Sequence, residues 1–401
     1  MKIAIIGGGA SGLACAVECG WEAAGQHRAV NITVFEAADR VGKKILATGN
    51  GRCNLMNKNE EMPYFGDDDF ARFALKEYNL IKNLSFFATI GLYTRYDSEG
   101  RYYPLSNQAS SVLDVLRFEC EKFGFRFECS KNITDIKKVG DRFEVCGEKF
   151  DKVVLACGGK AGVKGYQSYD LLKKFGHSII TPRPALTKIK VKEISYVKQL
   201  KGIRHKGDLT LYIDGKKRAF ESGEIQFTDY GLSGIAVMQL SSHITRERSE
   251  NIKIVFDTVP GFSFDGLKES IDGWRYNNGD LACENLLTGF MPKKLGTVIM
   301  KMCGIPLNGK ISALTDKNIN DIIKTAQKLT FEVDSLRSFE DAQVTAGGAD
   351  TREFDRTTME SKKVRGLYCV GEMLNVDGPC GGYNLMWAWS SGRLCGKSML
   401  K

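Results

Sequence analysis

The residue types with the greatest capacity for chemistry occur in two polar segments of the first third of the chain. In ATGNGRCN, residues 47–54, Arg52 could bind an anion, and Cys53 could act as a thiol nucleophile or proton donor. In EGRYYPLSNQASSVLDVL, Arg101 could bind a substrate carboxylate or stabilise a hydride in transfer. The structural alternatives are a packed loop residue for Cys53 and a salt bridge for Arg101. These three residues are the catalytic candidates.

The elements that would position them begin with a glycine-rich turn. Residues 3–6 form a short apolar run typical of a buried strand, and G-x-G-x-x-G and a segment of helical composition follow. Gly7 permits the turn, Gly9 lets the backbone approach a pyrophosphate, and Gly12 allows the helix to pack closely on the strand. The next predicted strand ends in Glu36, an acid placed to accept hydrogen bonds from both ribose hydroxyls. The pattern predicts a bound dinucleotide.

NAD and FAD share this fingerprint, and the chain that follows it favours FAD. A long loop, residues 37–54, takes the place of an immediate return to helix and strand, and a flavin needs covering chain beyond the second strand. Two later segments support the same ligand. Residues 150–162 read as a strand and a small-residue turn, and residues 366–399 read as a strand, a turn and a Gly-Gly helix start.

Six segments together resemble a known group, the bacterial BaiN-like flavoproteins, also called the aminoacetone-oxidase-family FAD-binding enzymes. These segments are IIGGGASGLA, GKKILATGNGRCN, GRYYPLSNQASSVLDVL, VVLACGG, VTAGG and GLYCVGEMLNVDGPCGGYNLMWAWSSG. The resemblance runs nearly end to end, with a more distant similarity to the fumarate reductase type of flavoprotein. It implies NAD(P)- and FAD-dependent oxidoreduction, and one member of the group is linked to bile-acid 7-dehydroxylation.

Carried over position by position, the resemblance implies an adenosine-diphosphate site, a covering loop and a C-terminal flavin segment. Together with the motifs above, the residues predicted to bind FAD are Gly7, Gly9, Ala10, Ser11, Gly12, Glu36, Ala37, Lys44, Thr48, Asn50, Gly51, Arg52, Asn54, Ala156, Gly158, Gly371, Glu372, Gly381, Gly382, Tyr383 and Asn384.

The predicted fold class is α/β, with a Rossmann-like FAD-binding domain of the glutathione-reductase or fumarate-reductase type. This domain is expected to be discontinuous, residues 1–185 and 335–401, around an inserted substrate or cap region at 186–334. Alternating apolar and polar residues in the insertion predict short antiparallel strands, followed by a helical part at about 260–325. The resemblance implies that these strands form a small β-barrel.

Composition limits the location and partners of the protein. Twelve scattered cysteines with no C-x-x-C pair and no nearby histidine predict free thiols in a reducing cytosol and no metal site. No apolar run is long enough to cross a bilayer, so a cytoplasmic protein without a membrane partner is expected. The net charge of +9 could attract anions, but the basic residues are spread and lack the aromatic interleaving of a nucleic-acid platform. A small-molecule substrate is therefore predicted, and no nucleic acid.

The predicted function is FAD-dependent oxidoreduction of a C=C bond in a small organic substrate, which could be anionic or steroid-like. NAD(P)H is the expected electron donor. It would have to enter the substrate cleft, because the chain has no second G-x-G-x-x-G. Two alternatives stay open: an oxygen-dependent flavin amine oxidase, and an FAD protein acting on tRNA.

Overall fold

The structure is a computed structural model that describes residues 1–161 and 168–401. Its strands in chain order are β1 (Lys2–Ile6), β2 (Asn31–Phe35), β3 (Met56–Asn57), β4 (Phe65–Gly66), β5 (Thr94–Tyr96), β6 (Arg101–Pro104), β7 (Arg126–Glu128), β8 (Lys137–Val139), β9 (Arg142–Val145), β10 (Glu148–Phe150), β11 (Lys152–Leu155), β12 (Ile179–Ala185), β13 (Ile189–Val191), β14 (Arg204–Ile213), β15 (Lys216–Phe227), β16 (Gly231–Ser233), β17 (Ile252–Asp257), β18 (Leu329–Leu336), β19 (Val344–Ala349), β20 (Leu367–Cys369) and β21 (Val376–Asp377).

The α-helices in chain order are α1 (Ala10–Gly25), α2 (Lys43–Ala47), α3 (Asp68–Glu77), α4 (Leu80–Thr89), α5 (Ala109–Lys122), α6 (Ser168–Lys174), α7 (Ile194–Gln199), α8 (Ile235–Ile244), α9 (Phe264–Asn278), α10 (Lys293–Met302), α11 (Asp316–Gln327) and α12 (Tyr383–Ser398). No helix among the described residues combines the length and the apolar character needed to cross a membrane.

A parallel five-stranded sheet organises the first part of the chain. Its strand order is β20-β11-β1-β2-β7, and all four pairings are parallel. The apolar runs KIAII, NITVF and KVVL are buried along nearly their whole length, as expected for a parallel sheet that helices cover. The predicted Rossmann-like fold class is confirmed.

Helices α1 and α12 pack against each other with almost no space between their backbones. A Cβ on Gly392 would lie 2.3 Å from the carbonyl oxygen of Ser11, and a Cβ on Gly396 would lie 2.5 Å from that of Cys15. The Cβ on Gly396 would also lie 2.9 Å from the backbone nitrogen of Cys19. The Cys19 side chain is completely buried. Small residues on both helices therefore permit this close packing.

The chain divides into two compact units, residues 1–183 with 344–401 and residues 184–343. The second boundary lies nine residues beyond the expected end of the insertion at 334. The segment after β18 stays with the second unit because Arg337 donates its backbone N–H to Lys188 at 3.0 Å, and Asp341 accepts from the Lys188 ammonium at 2.9 Å.

The second unit is built on a closed barrel. Six antiparallel strands follow the order β13-β16-β15-β14-β17-β18, with β13 and β18 pairing to close it. Along β14, Leu209, Leu211 and Ile213 are buried while the residues between them are partly exposed, which is the alternation expected of a barrel wall. Helices α9, α10 and α11 lie between β17 and β18 in the chain.

A buried histidine joins two distant segments of the first unit. The imidazole of His177 lies 2.8 Å from the carboxylate of Glu353 and 2.9 Å from the hydroxyl of Ser361, and its ring stacks on Phe354. Burial lowers the pKa of His177 below its ordinary value, although the hydrogen bond that the ring donates to the Glu353 carboxylate opposes this shift. The neutral imidazole is therefore the form that fits the folded protein.

This histidine makes stability depend on pH. The unfolded chain binds the His177 proton more tightly than the folded chain does, so the stabilising contribution is complete above about pH 6.5 and is lost as the pH falls below that value. We expect His177→Gln, which does not titrate, to cost about 1–3 kcal/mol at pH 7.5. Between pH 7.5 and 5.5, the melting temperature of the variant should therefore fall less than that of the wild type. Equal losses in thermal unfolding experiments would contradict the assignment.

Candidate cofactor site

Four neighbouring strands deliver predicted cofactor residues to one edge of the parallel sheet. Strand β1 leads into the turn that contains Gly7, β2 into Glu36, β11 into Ala156 and β20 into Gly371. The carboxyl ends of parallel strands lie at the same edge, where doubly wound sheets bind their ligands. The structure therefore brings together segments that lie up to about 360 residues apart in the sequence.

The glycine turn has the shape that a pyrophosphate requires. Gly7 has φ +110°, and a Cβ there would lie 2.4 Å from the carbonyl oxygen of Ala156, whereas a Cβ on Gly12 would lie 2.1 Å from that of Gly7. Gly9 differs, because a Cβ there would meet nothing within 4 Å. This open position precedes Ala10 at the start of α1, where no side chain caps the helix. The space and the free N–H groups fit a dinucleotide phosphate.

Glu36 is held at the end of β2 by two backbone groups. Its carboxylate accepts hydrogen bonds from the N–H groups of Gly8 at 2.9 Å and Ala38 at 2.8 Å. Each carboxylate oxygen keeps a further lone pair, so ribose hydroxyls could still donate to it. Ala37 is exposed beside it.

Glu372 lies at the centre of a polar cluster at the end of β20. Its carboxylate accepts from the Lys44 ammonium at 2.7 Å and from the backbone N–H of Thr345 at 2.8 Å. A Cβ on Gly158 would lie 3.9 Å from the carboxylate and would meet nothing closer. Gly371 packs on α1, since a Cβ there would lie 2.7 Å from the Ser11 hydroxyl. Two predicted cofactor residues, Lys44 and Glu372, thus form an ion pair with each other.

The loop after α2 is compact and rich in left-handed backbone. Gly49, Asn50, Gly51 and Cys53 all have φ between +55° and +81°. Thr48 stabilises the loop, because its hydroxyl donates to the carbonyl of Ile45 at 2.7 Å and its own carbonyl accepts from the Cys53 N–H at 3.1 Å. Asn50 and Gly51 lie exposed at its tip.

The two charged or reactive residues of this loop have opposite environments. Arg52 is exposed, its guanidinium lies 4.8 Å from the centre of the Tyr103 ring, and its Nε donates to the carbonyl of Gly49 at 3.3 Å. Cys53 is completely buried, and this burial raises the pKa of its thiol to about 12. That environment argues against the predicted role of Cys53, because a nucleophilic thiol must be accessible and ionised.

Arg101 belongs to a salt-bridge cluster at the start of β6. Its guanidinium donates to the carboxylates of Asp97 at 2.8 Å and Glu99 at 2.9 Å. Arg101 therefore forms the salt bridge that was the predicted alternative to a catalytic role. The salt bridge argues against catalysis, because a substrate anion would have to displace two carboxylates.

The Gly-Gly helix start lies against the end of the covering loop. Gly381 and Gly382 have φ +119° and +102°, and a Cβ on Gly382 would lie 2.7 Å from the side-chain oxygen of Asn54. That oxygen is buried and has no hydrogen-bond partner among the described residues. A buried polar atom without a partner is unfavourable, so it fits a site whose ligand supplies the missing donor. Asn57 fixes this contact by donating to the carbonyl of Gly381 at 2.9 Å.

Tyr383 and Asn384 support the same segment. Tyr383 is buried, and its carbonyl accepts from the Tyr64 hydroxyl at 2.9 Å. The Asn384 side chain exchanges two hydrogen bonds of 2.8 Å with the backbone of Gly378. These side chains shape the loop that leads into α12.

Comparisons with known proteins show the family to which the chain belongs. The family described as "HI0933-like protein Rossmann domain" matches residues 1–398. The chain belongs to this family. It is an FAD-dependent oxidoreductase. FAD fits the open position at Gly9 and the buried oxygen of Asn54.

Two relatives of this HI0933-like flavoprotein match it over nearly the whole length. The 3-dehydro-bile acid delta(4,6)-reductase of Clostridium scindens is 36% identical over 410 residues, covering 99% of this chain and 98% of the relative. The ribosomal RNA dihydrouridine synthase of Haemophilus influenzae is 28% identical over 410 residues, covering 98% of this chain and 97% of the relative.

Among solved structures, the HI0933-like chain resembles 3-ketosteroid delta1-dehydrogenase from Sterolibacterium denitrificans. The TM-score is 0.44 at 12% identity, covering 100% of this chain and 99% of the other. This likeness is too low to support a functional argument.

Three residues of the HI0933-like site escaped prediction. Asn57, Tyr64 and Thr345 form hydrogen bonds to the predicted segments. Thr345 lies within the VTAGG segment, whereas Asn57 and Tyr64 lie in none of the six segments. Their role depends on contacts across more than 25 residues of sequence, which no local pattern reports.

Proposed function

We propose that the carboxyl edge of the parallel sheet holds FAD through the residues described above. The free N–H groups at Gly9 would bind the pyrophosphate, and Glu36 would bind the adenosine ribose. Glu372, paired with Lys44, would contact the middle of the dinucleotide. Asn54, with the Gly381–Gly382 backbone, would contact its flavin end. The open position at Gly9 and the partnerless oxygen of Asn54 support this assignment.

We propose that the reaction is NAD(P)H-linked reduction of an electron-poor C=C bond in a small, anionic, steroid-like substrate. The observation that carries this proposal is the 36% identity, over nearly the full length of both chains, to a reductase named for 3-dehydro-bile acids. The chemistry that bound FAD supplies is transfer of a hydride from a reduced nicotinamide to one carbon of the double bond, with a proton completing the reduction at the other carbon.

Arg52 is the residue of this chain best suited to hold the substrate anion. Within the guanidinium, only Nε makes a hydrogen bond to the described part of the chain, to the carbonyl of Gly49, so the terminal N–H groups can donate to a carboxylate. The Tyr103 ring beneath the guanidinium restricts its orientation. The buried thiol of Cys53 and the paired guanidinium of Arg101 have no part in this proposal.

The electron donor can be tested by rapid mixing of the oxidised, flavin-loaded protein under anaerobic conditions. We expect NADH or NADPH to bleach the flavin absorbance, and a 3-dehydro-bile acid with Δ4,6 unsaturation to restore it. Because the sequence contains one G-x-G-x-x-G, the two substrates should share a cleft and show ping-pong kinetics. Bleaching by an amine, with no response to either nicotinamide, would reject the reductase and favour the amine oxidase.

A second candidate, action on RNA, is favoured by the full-length relative named for ribosomal RNA. The net charge of +9 is compatible with it. Several barrel cations are paired with acids, however, including Lys192 with Glu332 and Arg204 with Glu224, which reduces the charge available to phosphates. Tight RNA binding that weakens steeply with added salt would favour this candidate over the first.

A further inference from the structure

A buried tyrosine beside the proposed FAD site has a hydroxyl group that makes no hydrogen bond within the described part of the chain. Tyr169 lies on α6 and is only 3% exposed. Buried hydroxyl groups in folded proteins nearly always have a partner, because leaving one unsatisfied is unfavourable. A hydroxyl retained in this state indicates a partner other than the described residues, such as a bound ligand.

The surroundings of Tyr169 place this hydroxyl at the carboxyl edge of the sheet. Burial raises the pKa of Tyr169, and the nearby Glu372 carboxylate and the thiols of Cys369 and Cys157 raise it further. Cys369 ends β20 and Cys157 follows β11, so the neighbours of Tyr169 belong to the two strand ends that carry the Glu372 cluster. The phenol therefore stays protonated and can donate a hydrogen bond.

We propose that Tyr169 is a cofactor-binding residue whose hydroxyl donates a hydrogen bond to an oxygen of FAD. This inference rests on the proposed position of FAD at the carboxyl edge. FAD offers acceptors in its phosphate oxygens, its ribityl and ribose hydroxyls and its ring carbonyls. No glycine motif contains Tyr169, so this contact adds a residue to those implied by the nucleotide fingerprint.

Tyr169→Phe tests the proposal, because it removes one oxygen atom and keeps the packed ring. We expect the dissociation constant of FAD to rise roughly three- to tenfold, the range that corresponds to one hydrogen bond. We also expect the melting temperature of the flavin-free protein to stay equal or rise, because the change removes a buried hydroxyl that lacks a partner. A tyrosine with a purely structural role would give the opposite pattern.

Tyr78→Phe is the matched control. Tyr78 is also buried, at 5% exposure, but its hydroxyl donates to the Glu18 carboxylate at 3.1 Å. This variant should lower the melting temperature of the flavin-free protein and leave FAD affinity unchanged. Both affinities are measured by titrating the full-length apoprotein with FAD and following the quenching of flavin fluorescence.

Unchanged FAD affinity in Tyr169→Phe would overturn the proposal, whatever happens to the melting temperature. If the wild-type protein bound no FAD, the proposed site itself would fail, so the two failures are distinguishable. Titrations with ADP and with FMN divide the cofactor into its two halves. If Tyr169→Phe weakens the binding of only ADP or only FMN, the result supports the proposal. The accepting oxygen then belongs to that half of FAD.

Discussion

Gly9→Val is expected to abolish FAD binding and to leave the chain folded. A Cβ at this position would meet no atom of the described residues within 4 Å, and the side chain would occupy the space proposed for the pyrophosphate. Gly9 has φ −86°, which valine readily adopts, so the backbone need not change. We expect FAD affinity to fall more than about 100-fold, because the branched side chain excludes the phosphates and blocks the helix N–H groups.

Flavin absorbance of the purified protein and titration of the apoprotein with FAD measure this effect. Gly25→Val is the matched control, since Gly25 ends the same helix and a Cβ there also meets nothing within 4 Å. The control should retain FAD. A folded Gly9→Val protein with normal flavin content would show that the cofactor phosphates lie elsewhere.

Arg52→Ala is expected to impair turnover of an anionic substrate without loss of FAD or of stability. The lost interaction is a charge-assisted hydrogen bond, so kcat/KM should fall roughly 10- to 100-fold. The melting temperature of the apoprotein should hardly change, because the exposed side chain makes one hydrogen bond within the described chain and one contact with the Tyr103 ring. Arg52→Lys should restore part of the activity, since it keeps the charge and loses the planar geometry.

Steady-state kinetics with an anionic substrate and with its neutral ester or amide separate the two possible roles of Arg52. If Arg52 binds the anion, only the charged substrate should be affected. Arg95→Ala serves as the control, because Arg95 is also exposed and donates to the Asn107 side chain at 2.7 Å. A large fall in apoprotein stability with unchanged kinetics would make the loop of residues 47–54 structural.

Local sequence patterns were sufficient to predict four strands of the parallel sheet (β1, β2, β11 and β20), the glycine turn and the acid that follows the second strand. The steric requirement for Gly7 and Gly12 arises within one strand-turn-helix unit, and the apolar runs of the parallel sheet are continuous because both faces of the sheet are covered. The helices α1 and α12 pack together beside the sheet, and Phe150 of β10 packs on Phe35 of β2. These features involve residues that are near neighbours in the chain. The same locality makes the position of Glu36 predictable from the sequence, and its side chain lies against the glycine turn.

Only the tertiary structure decided which side chains are accessible and which partners they have. Cys53 and Arg52 are adjacent in the sequence, yet one is completely buried and the other is exposed. Lys44 pairs with Glu372 across 328 residues, and the Tyr169 hydroxyl is buried without a hydrogen-bond partner among the described residues. Burial and pairing are set by the packing of distant segments, and residue type and spacing carry no record of that packing.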